Sequence, residues 1–309
     1  MNIEESLENY FPGTKTAIDM IQEEFTTYLN RFKIKKFLNR DRDTQVLKTL
    51  LRWLSPYVDI RYGTDPGFLF QNNHYLITDL INKRKGSCVA FTSLFLGLAR
   101  RMSIDVWAAN VLITSQVEHL KYDPIGHICV IDKNKKQWDC IYLAQHKTIQ
   151  VLTDDKFISL ILTNQSTNED DNETELNLLN ESIRLDSQNI HALLNLGVYY
   201  NKNNFHPKKS LEMYDRVLKI DPFHARAWRR KAEQYEDIGD NIEAISCYQK
   251  SDSIYPTEEV LFKLINLYVE KKDYDRALLA CKKFLEINPN HVGIIEKFNE
   301  LKKNTSETI

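Results

Sequence analysis

The sequence predicts two parts of different class. Residues 1–162 read as an α+β domain of helices plus a small antiparallel sheet, and residues 176–309 as an all-α helical solenoid. Three observations carry this. Apolar residues recur at helical spacing as far as Met102, then give way to β-type runs between Ile104 and Leu143. Pro222, Pro256 and Pro289 fall 34 and 33 residues apart in wholly helical patterning, the period of a helix–turn–helix repeat. Between the two parts, "TNQSTNEDDNETE" at 163–175 is polar, acidic and without apolar periodicity, which reads as a linker.

Length and composition agree. A chain of 309 residues is enough for two domains at ~150 each. Glycine and proline are scarce, 9 and 8 in all, as expected of a helix-rich protein with short turns. A formal charge of −2 offers no basic surplus for nucleic acid. The five cysteines, Cys88, Cys129, Cys140, Cys247 and Cys281, are odd in number and form no CxxC pair. They therefore read as free thiols of a cytoplasmic protein rather than a disulfide framework or a zinc site, and no cofactor or metal is expected. The acidic start "MNIEESLENYFPG" is not a signal peptide, and "FTSLFLGLA" is far short of the ~20 residues a membrane span needs, so no membrane partner is expected.

Taking the elements in order, "SLENYFPG" is a short helix, and "KTAIDMIQEEFTTYLNRFK" places Ile18, Ile21, Phe25 and Leu29 on one face. "DTQVLKTLLRWLSPYV" and "HYLITDLINKRK" are two more helices. From Cys88, Phe91, Phe95, Leu98 and Met102 line a buried face. "IDVWAANVLI" is the first strand, 114–126 a loop, and "HICVID" and "QWDCIYL" bracket the turn residues "KNKK" as a hairpin. Trp107 and Trp138 are assigned to the core or to a cleft wall, and Cys129 and Cys140 to strand packing.

Cys88 admits two readings. A cysteine at the head of an apolar helix is often core packing. A helix N-terminus also favours an anion, and with Arg84 and Lys85 nearby it favours thiolate. The later strands decide for chemistry: a histidine, His127, opens the next strand but one, and a carboxylate, Asp139, lies on the strand after that. Thiol, imidazole and carboxylate in the order "RKGSCVAFTSLFLGLARRM", "GHICVID", "WDCIYL" resemble the transglutaminase-like branch of the papain-like cysteine hydrolases, over about 60–150. The resemblance implies Cys88 as nucleophile, His127 as general base and acid, and Asp139 as the group orienting the ring. For the oxyanion it implies the backbone N–H of Cys88 and, as second donor, the Asn82 amide. The sequence departs from the family at Cys140, where proline is common, and at Ile128 after the histidine. Side chains alternate along a strand. His127 and Asp139 therefore share a face only if the hairpin loop has an odd number of residues, such as Lys133–Lys135; an Asn134–Lys135 turn would separate them. His119 competes as base, and Asp132, read as a solvated turn residue, as orienting acid.

In the C-terminal part Trp228, Ala232, Tyr235, Ala244, Tyr248 and Pro256 recur as Leu193, Gly197, Tyr200, Ser210, Tyr214 and Pro222, then as Leu261, Tyr268, Ala277, Phe284 and Pro289. This pattern resembles the tetratricopeptide repeat over about 175–303, with an extra residue near "NKNNFHPKKS", a half repeat at 175–186 and a capping helix from His291. The resemblance implies a protein or peptide partner on the inner surface, where His191, Arg226, Arg229 and Glu233 point by the repeat's spacing. Cys247 and Cys281 fall at helix-packing positions. The functional expectation is a cysteine-dependent hydrolase or acyltransferase acting on protein or peptide amides, with the repeats recruiting substrate. The alternative is a non-catalytic interaction scaffold in which the repeats are the working part.

Overall fold

The computed structural model describes residues 3–31, 42–54, 69–70, 78, 80–81, 85–111, 127–139, 149–202 and 206–306. The chain divides into two compact units, 1–189 and 190–309.

The first unit opens with three helices, α1 (Ile3–Tyr10), α2 (Thr14–Arg31) and α3 (Arg42–Leu54). Their apolar stripes bury Ile3 and Leu7, then Ile18, Ile21 and Phe25, then Val46, Leu47 and Leu50. Two short parallel strands come next, β1 (Leu69–Phe70) and β2 (Lys85–Gly86). The helix α4 (Cys88–Arg101) is apolar nearly all round and buried from Cys88 to Ala99, as a helix at the centre of a domain must be. Gly97 is where it meets α2: a Cβ there would lie 3.1 Å from Ile18 Cδ1. At its far end Arg101 grips the buried Glu4 through Nε (2.6 Å) and Nη2 (2.7 Å).

One face of α4 covers a four-stranded antiparallel sheet in the order β5 (Gln137–Trp138), β4 (Ile128–Asp132), β3 (Val106–Val111), β6 (Ile149–Val151). Alternation sorts the side chains. Val106, Ala108, Ile128, Val130 and Trp138 join the α4 core, while Ala109, Val111, Cys129 and Ile131 form a second cluster with Ile149. The sheet is thus apolar on both faces.

Residues 163–175, expected as a linker, are mostly helical. α5 (Asp154–Ser166) runs into them and α6 (Asn172–Leu185) begins within them, capped by Thr153 and Asp171. Two of its polar residues, Thr163 and Ser166, are buried against neighbouring helix groups. Ser159, Thr163, Ser182 and Asn189 form a buried hydrogen-bonded cluster, with Asn189 Nδ2 donating to Ser159 Oγ (2.8 Å) and Thr163 Oγ1 (3.0 Å). The half repeat expected at 175–186 is α6, and it belongs to the first unit.

The second unit is a run of helical hairpins: α7 (Ile190–Lys202) with α8 (Pro207–Ile220), α9 (Ala225–Asp237) with α10 (Asn241–Ile254), and α11 (Glu258–Glu270) with α12 (Tyr274–Ile287), closed by α13 (Val292–Ser306). The small residue in the first helix of the first two hairpins is a packing requirement. A Cβ on Gly197 would lie 2.5 Å from Tyr214 Cε1, and the equivalent Ala232 is fully buried. Ser210 Oγ donates to Gly197 O (2.9 Å), fastening the same hairpin. Asp221, Tyr255 and Asn288, each just before a repeat proline, leave the helix for extended or near-extended backbone, the conformation a following proline imposes.

A candidate thiol–imidazole–carboxylate site

The site is built at one end of the sheet, where α4 begins. Thr92, one turn after Cys88, donates its hydroxyl to Ile128 O (3.2 Å). This bond sets the start of the helix against the start of β4 and brings Cys88 beside His127. His127 itself is fixed by its backbone, whose carbonyl accepts from Val111 N (2.9 Å).

The hairpin decides whether Asp139 can join them. Lys136 O accepts from Asp132 N (3.0 Å), so the loop is Lys133–Lys135, three residues long, with Lys135 left-handed at φ 60°. That is the three-residue hairpin in which a type I turn is closed by one left-handed residue. Val130 lies opposite Trp138, which sets Cys129 opposite Asp139. Asp139 therefore shares a face with Cys129 and with His127. The His127 Nε2 to Asp139 Oδ2 distance is 2.7 Å. The ring's other hydrogen-bonding partner is the Cys88 thiol.

All three groups are buried: Cys88 and His127 are each 7% exposed and Asp139 is 1%. Burial alone pulls the imidazole toward its neutral form, but Asp139 and Cys88, by hydrogen bond and by charge, outweigh it and push His127 up to about 9. The neighbouring Cys129 goes the other way. Burial first, then the negative charge of Asp139 and Cys88, pushes its thiol up to about 12, which holds it protonated and inert.

The remaining sequence candidates fall elsewhere. Asp132 is not solvated; it is 5% exposed. Its carboxylate accepts from Asn134 N (2.8 Å), Lys136 N (3.0 Å) and Trp138 Nε1 (3.1 Å), so it organises the turn. Trp138 is core, but Trp107 is not: it is 37% exposed. Trp107 lines a separate open depression of about 1050 Å³ with Val151, Thr153 and Arg184, at the opposite end of β3 from His127. Asn82, His119 and Cys140 lie outside the described residues. Among the described residues, no group of three or more His, Cys, Asp or Glu side chains is arranged to hold a metal ion.

In the second unit, Arg229 is engaged by its own chain. Glu259 of the next first helix pairs with Nη1, and Glu233 Oε1 lies 3.8 Å from Nε. Glu233 also accepts from Arg230 Nη1 (2.8 Å). The guanidinium is thus already paired within its own chain. Arg226 is exposed on the same helix, and Phe262, 46% exposed, stands on the next first helix.

Comparison with known proteins bears on this second unit. The tetratricopeptide repeat family matches residues 225–258 and 259–291, so the C-terminal half contains these repeats. Curated relatives include ER membrane protein complex subunit 2 of Xenopus tropicalis and subunit 2-A of Xenopus laevis, each 29% identical over 94 residues, 30% of this chain and 32% of theirs. The chain thus spans about a third of the length of the curated relatives it matches. Solved structures with similarity include a crystal structure of MamA protein, 17% identical with a TM-score of 0.43 over 50% of this chain and 85% of that one. Another is the APC/C hetero-tetramer Cut9-Hcn1, 15% identical with a TM-score of 0.39 over 46% of this chain and 29% of that one. The transglutaminase-like resemblance of residues 60–150 has no counterpart in the family match, which lies within 225–291. No helix among the described residues is long and apolar enough to cross a membrane.

Proposed function

We propose that the chain is a protein-interaction scaffold whose repeats bind a protein partner. The observation that carries this reading is the pair of tetratricopeptide repeats at 225–258 and 259–291. Solenoids of this kind offer an extended surface built from successive repeats. Arg226 and Phe262 would be contact residues, with His191 beside them, and Arg229 and Glu233 would act as the framework that holds them in register. The full chain carrying Arg226→Glu with Phe262→Asp should keep its melting temperature within ~2 °C and lose the proteins that wild type captures by affinity purification. An unchanged set would refute the assignment.

A second reading is favoured by a separate observation, the 2.7 Å contact between His127 and Asp139 with Cys88 as the ring's other partner. In it, the first unit is a cysteine hydrolase or acyltransferase for protein or peptide amides, and the repeats recruit its substrate. The Cys88 thiolate adds to the amide carbon, and the carbonyl π pair moves to oxygen. Collapse of that alkoxide reforms the carbonyl and expels the amine, which takes its proton from His127. His127 then draws a proton from water as the water attacks the thioester, releasing the acid and the thiol. Asp139 keeps the ring oriented and balances its charge. Alkylation of Cys88 by iodoacetamide, read by mass spectrometry across pH, tests this directly. A thiolate–imidazolium pair labels quickly below pH ~7 and loses that phase in His127→Ala; an ordinary thiol follows a single profile near ~8.5 in both proteins.

A further inference from the structure

We infer that the Ser87 hydroxyl is a catalytic residue of the Cys88 centre, donating its O–H to the oxyanion that forms when the thiolate adds to an acyl carbonyl. The inference rests on the second reading above and supplies that reading with a donor among the described residues.

Ser87 is the N-cap residue of α4, with φ −80° and ψ 172°. A serine there normally turns its oxygen onto a backbone N–H of the first turn. The threonine and aspartate caps among the described residues do this: Thr153, Asp171, Asp240, Thr257 and Asp273 each accept from the N–H three residues on. Ser87 makes no such bond. Its carbonyl accepts from Phe91 N (3.1 Å). The residue is 3% exposed, and Oγ is buried with no hydrogen-bond partner. Hiding a hydroxyl in this way is unfavourable unless something arrives to meet it.

What arrives is set by the neighbour. Ser87 immediately precedes Cys88, the first residue of α4. When Sγ forms its bond to an acyl carbon, the displaced π pair resides on an oxygen held at this helix end. The Cys88 N–H and the Ser87 O–H are then two donors from consecutive residues, and the hydroxyl is unspent until charge develops during addition. The ground state has nothing for the hydroxyl, which is the condition for a group to act on the barrier rather than on binding.

The test separates reactions that develop an oxyanion from one that does not. p-Nitrophenyl acetate acylates a thiolate through a tetrahedral alkoxide and expels p-nitrophenolate. Iodoacetamide alkylates by direct displacement of iodide with no charge on any carbonyl oxygen of the reacting centre. In Ser87→Ala, acylation, taken as the difference from Cys88→Ala, should fall about a hundredfold, the scale on which one oxyanion donor acts. Alkylation of Cys88 should keep its rate and pH profile, and the melting temperature should hold within ~2 °C, since no cap bond is lost. Equal slowing of both reactions would place the hydroxyl on the thiolate and overturn the inference, as would no change in acylation. A melting temperature lowered by several degrees would make Ser87 a cap and overturn it too. A different failure, wild-type Cys88 labelling like an ordinary thiol, would overturn the centre itself and this inference with it.

Discussion

At His127, burial and charge pull in opposite directions, and the balance is measurable as stability. The folded value of about 9 lies above the ~6.5 of a free imidazole. A raised value means that the contribution is complete below pH ~6.5 and is lost as pH climbs through about 9. Wild type should therefore lose up to about 3 kcal/mol of unfolding free energy between pH 6 and 9.5 that His127→Gln does not lose, read from urea midpoints at the two pH values. Asp139→Asn removes the charge that raises the ring, so the rapid phase of Cys88 alkylation should shrink markedly below pH ~7 while the fold survives. At Gly197 the argument is steric. With Tyr214 Cε1 at 2.5 Å from a Cβ, Gly197→Ala should cost about 1–3 kcal/mol by overpacking, despite alanine's better helix propensity. Thiol, imidazole and carboxylate were legible in the sequence because each stands beside a change of element. Ser87 was not singled out, because a serine at a helix start ordinarily explains itself as a cap. Its lack of a bond is visible only in three dimensions. Asp132 misled for a related reason: an aspartate by a turn reads as solvated until its three donors are seen.

Among the elements, the β4–β5 hairpin has the sharpest consequence. The sequence left the turn open between odd and even lengths. The choice depends on the left-handed φ of Lys135, which nothing in "KNKK" announces, since asparagine rather than lysine is the residue that favours it. Lys135→Gly should stabilise the hairpin by up to about 1 kcal/mol, read by thermal unfolding, because glycine adopts positive φ without a Cβ penalty. Deleting Asn134 leaves a two-residue loop between the same closing pair, Asp132 and Lys136, so Asp139 stays opposite Cys129 and the rapid labelling phase should survive, read by alkylation as in wild type. The acidic stretch 163–175 shows the converse limit. Its composition resembles a linker, yet Thr163 and Ser166 are buried, because hydroxyls on α5 find partners on α5 and α6 that a one-dimensional reading does not supply.

At the scale of the whole molecule, the repeat period was read with its proline positions intact, because each proline ends a helix by the same local rule. The placement of the boundary was less legible: the compact units divide after Asn189, one helix later than the composition suggests. Two units imply separable losses. Gly197→Ala lies in the second unit and Cys88 in the first, so the substitution should lower a thermal transition while leaving the Cys88 alkylation rate at 25 °C unchanged. The inner pairs of the solenoid have one more consequence. Arg229 already serves Glu259 and Glu233, so an acidic ligand could claim it only by displacing carboxylates of the same chain, exchanging one ion pair for another. Added salt weakens both sides of such an exchange alike. The share of a partner's affinity that runs through Arg229 should then respond weakly to ionic strength, leaving Arg226 as the charge on that helix through which added salt would act.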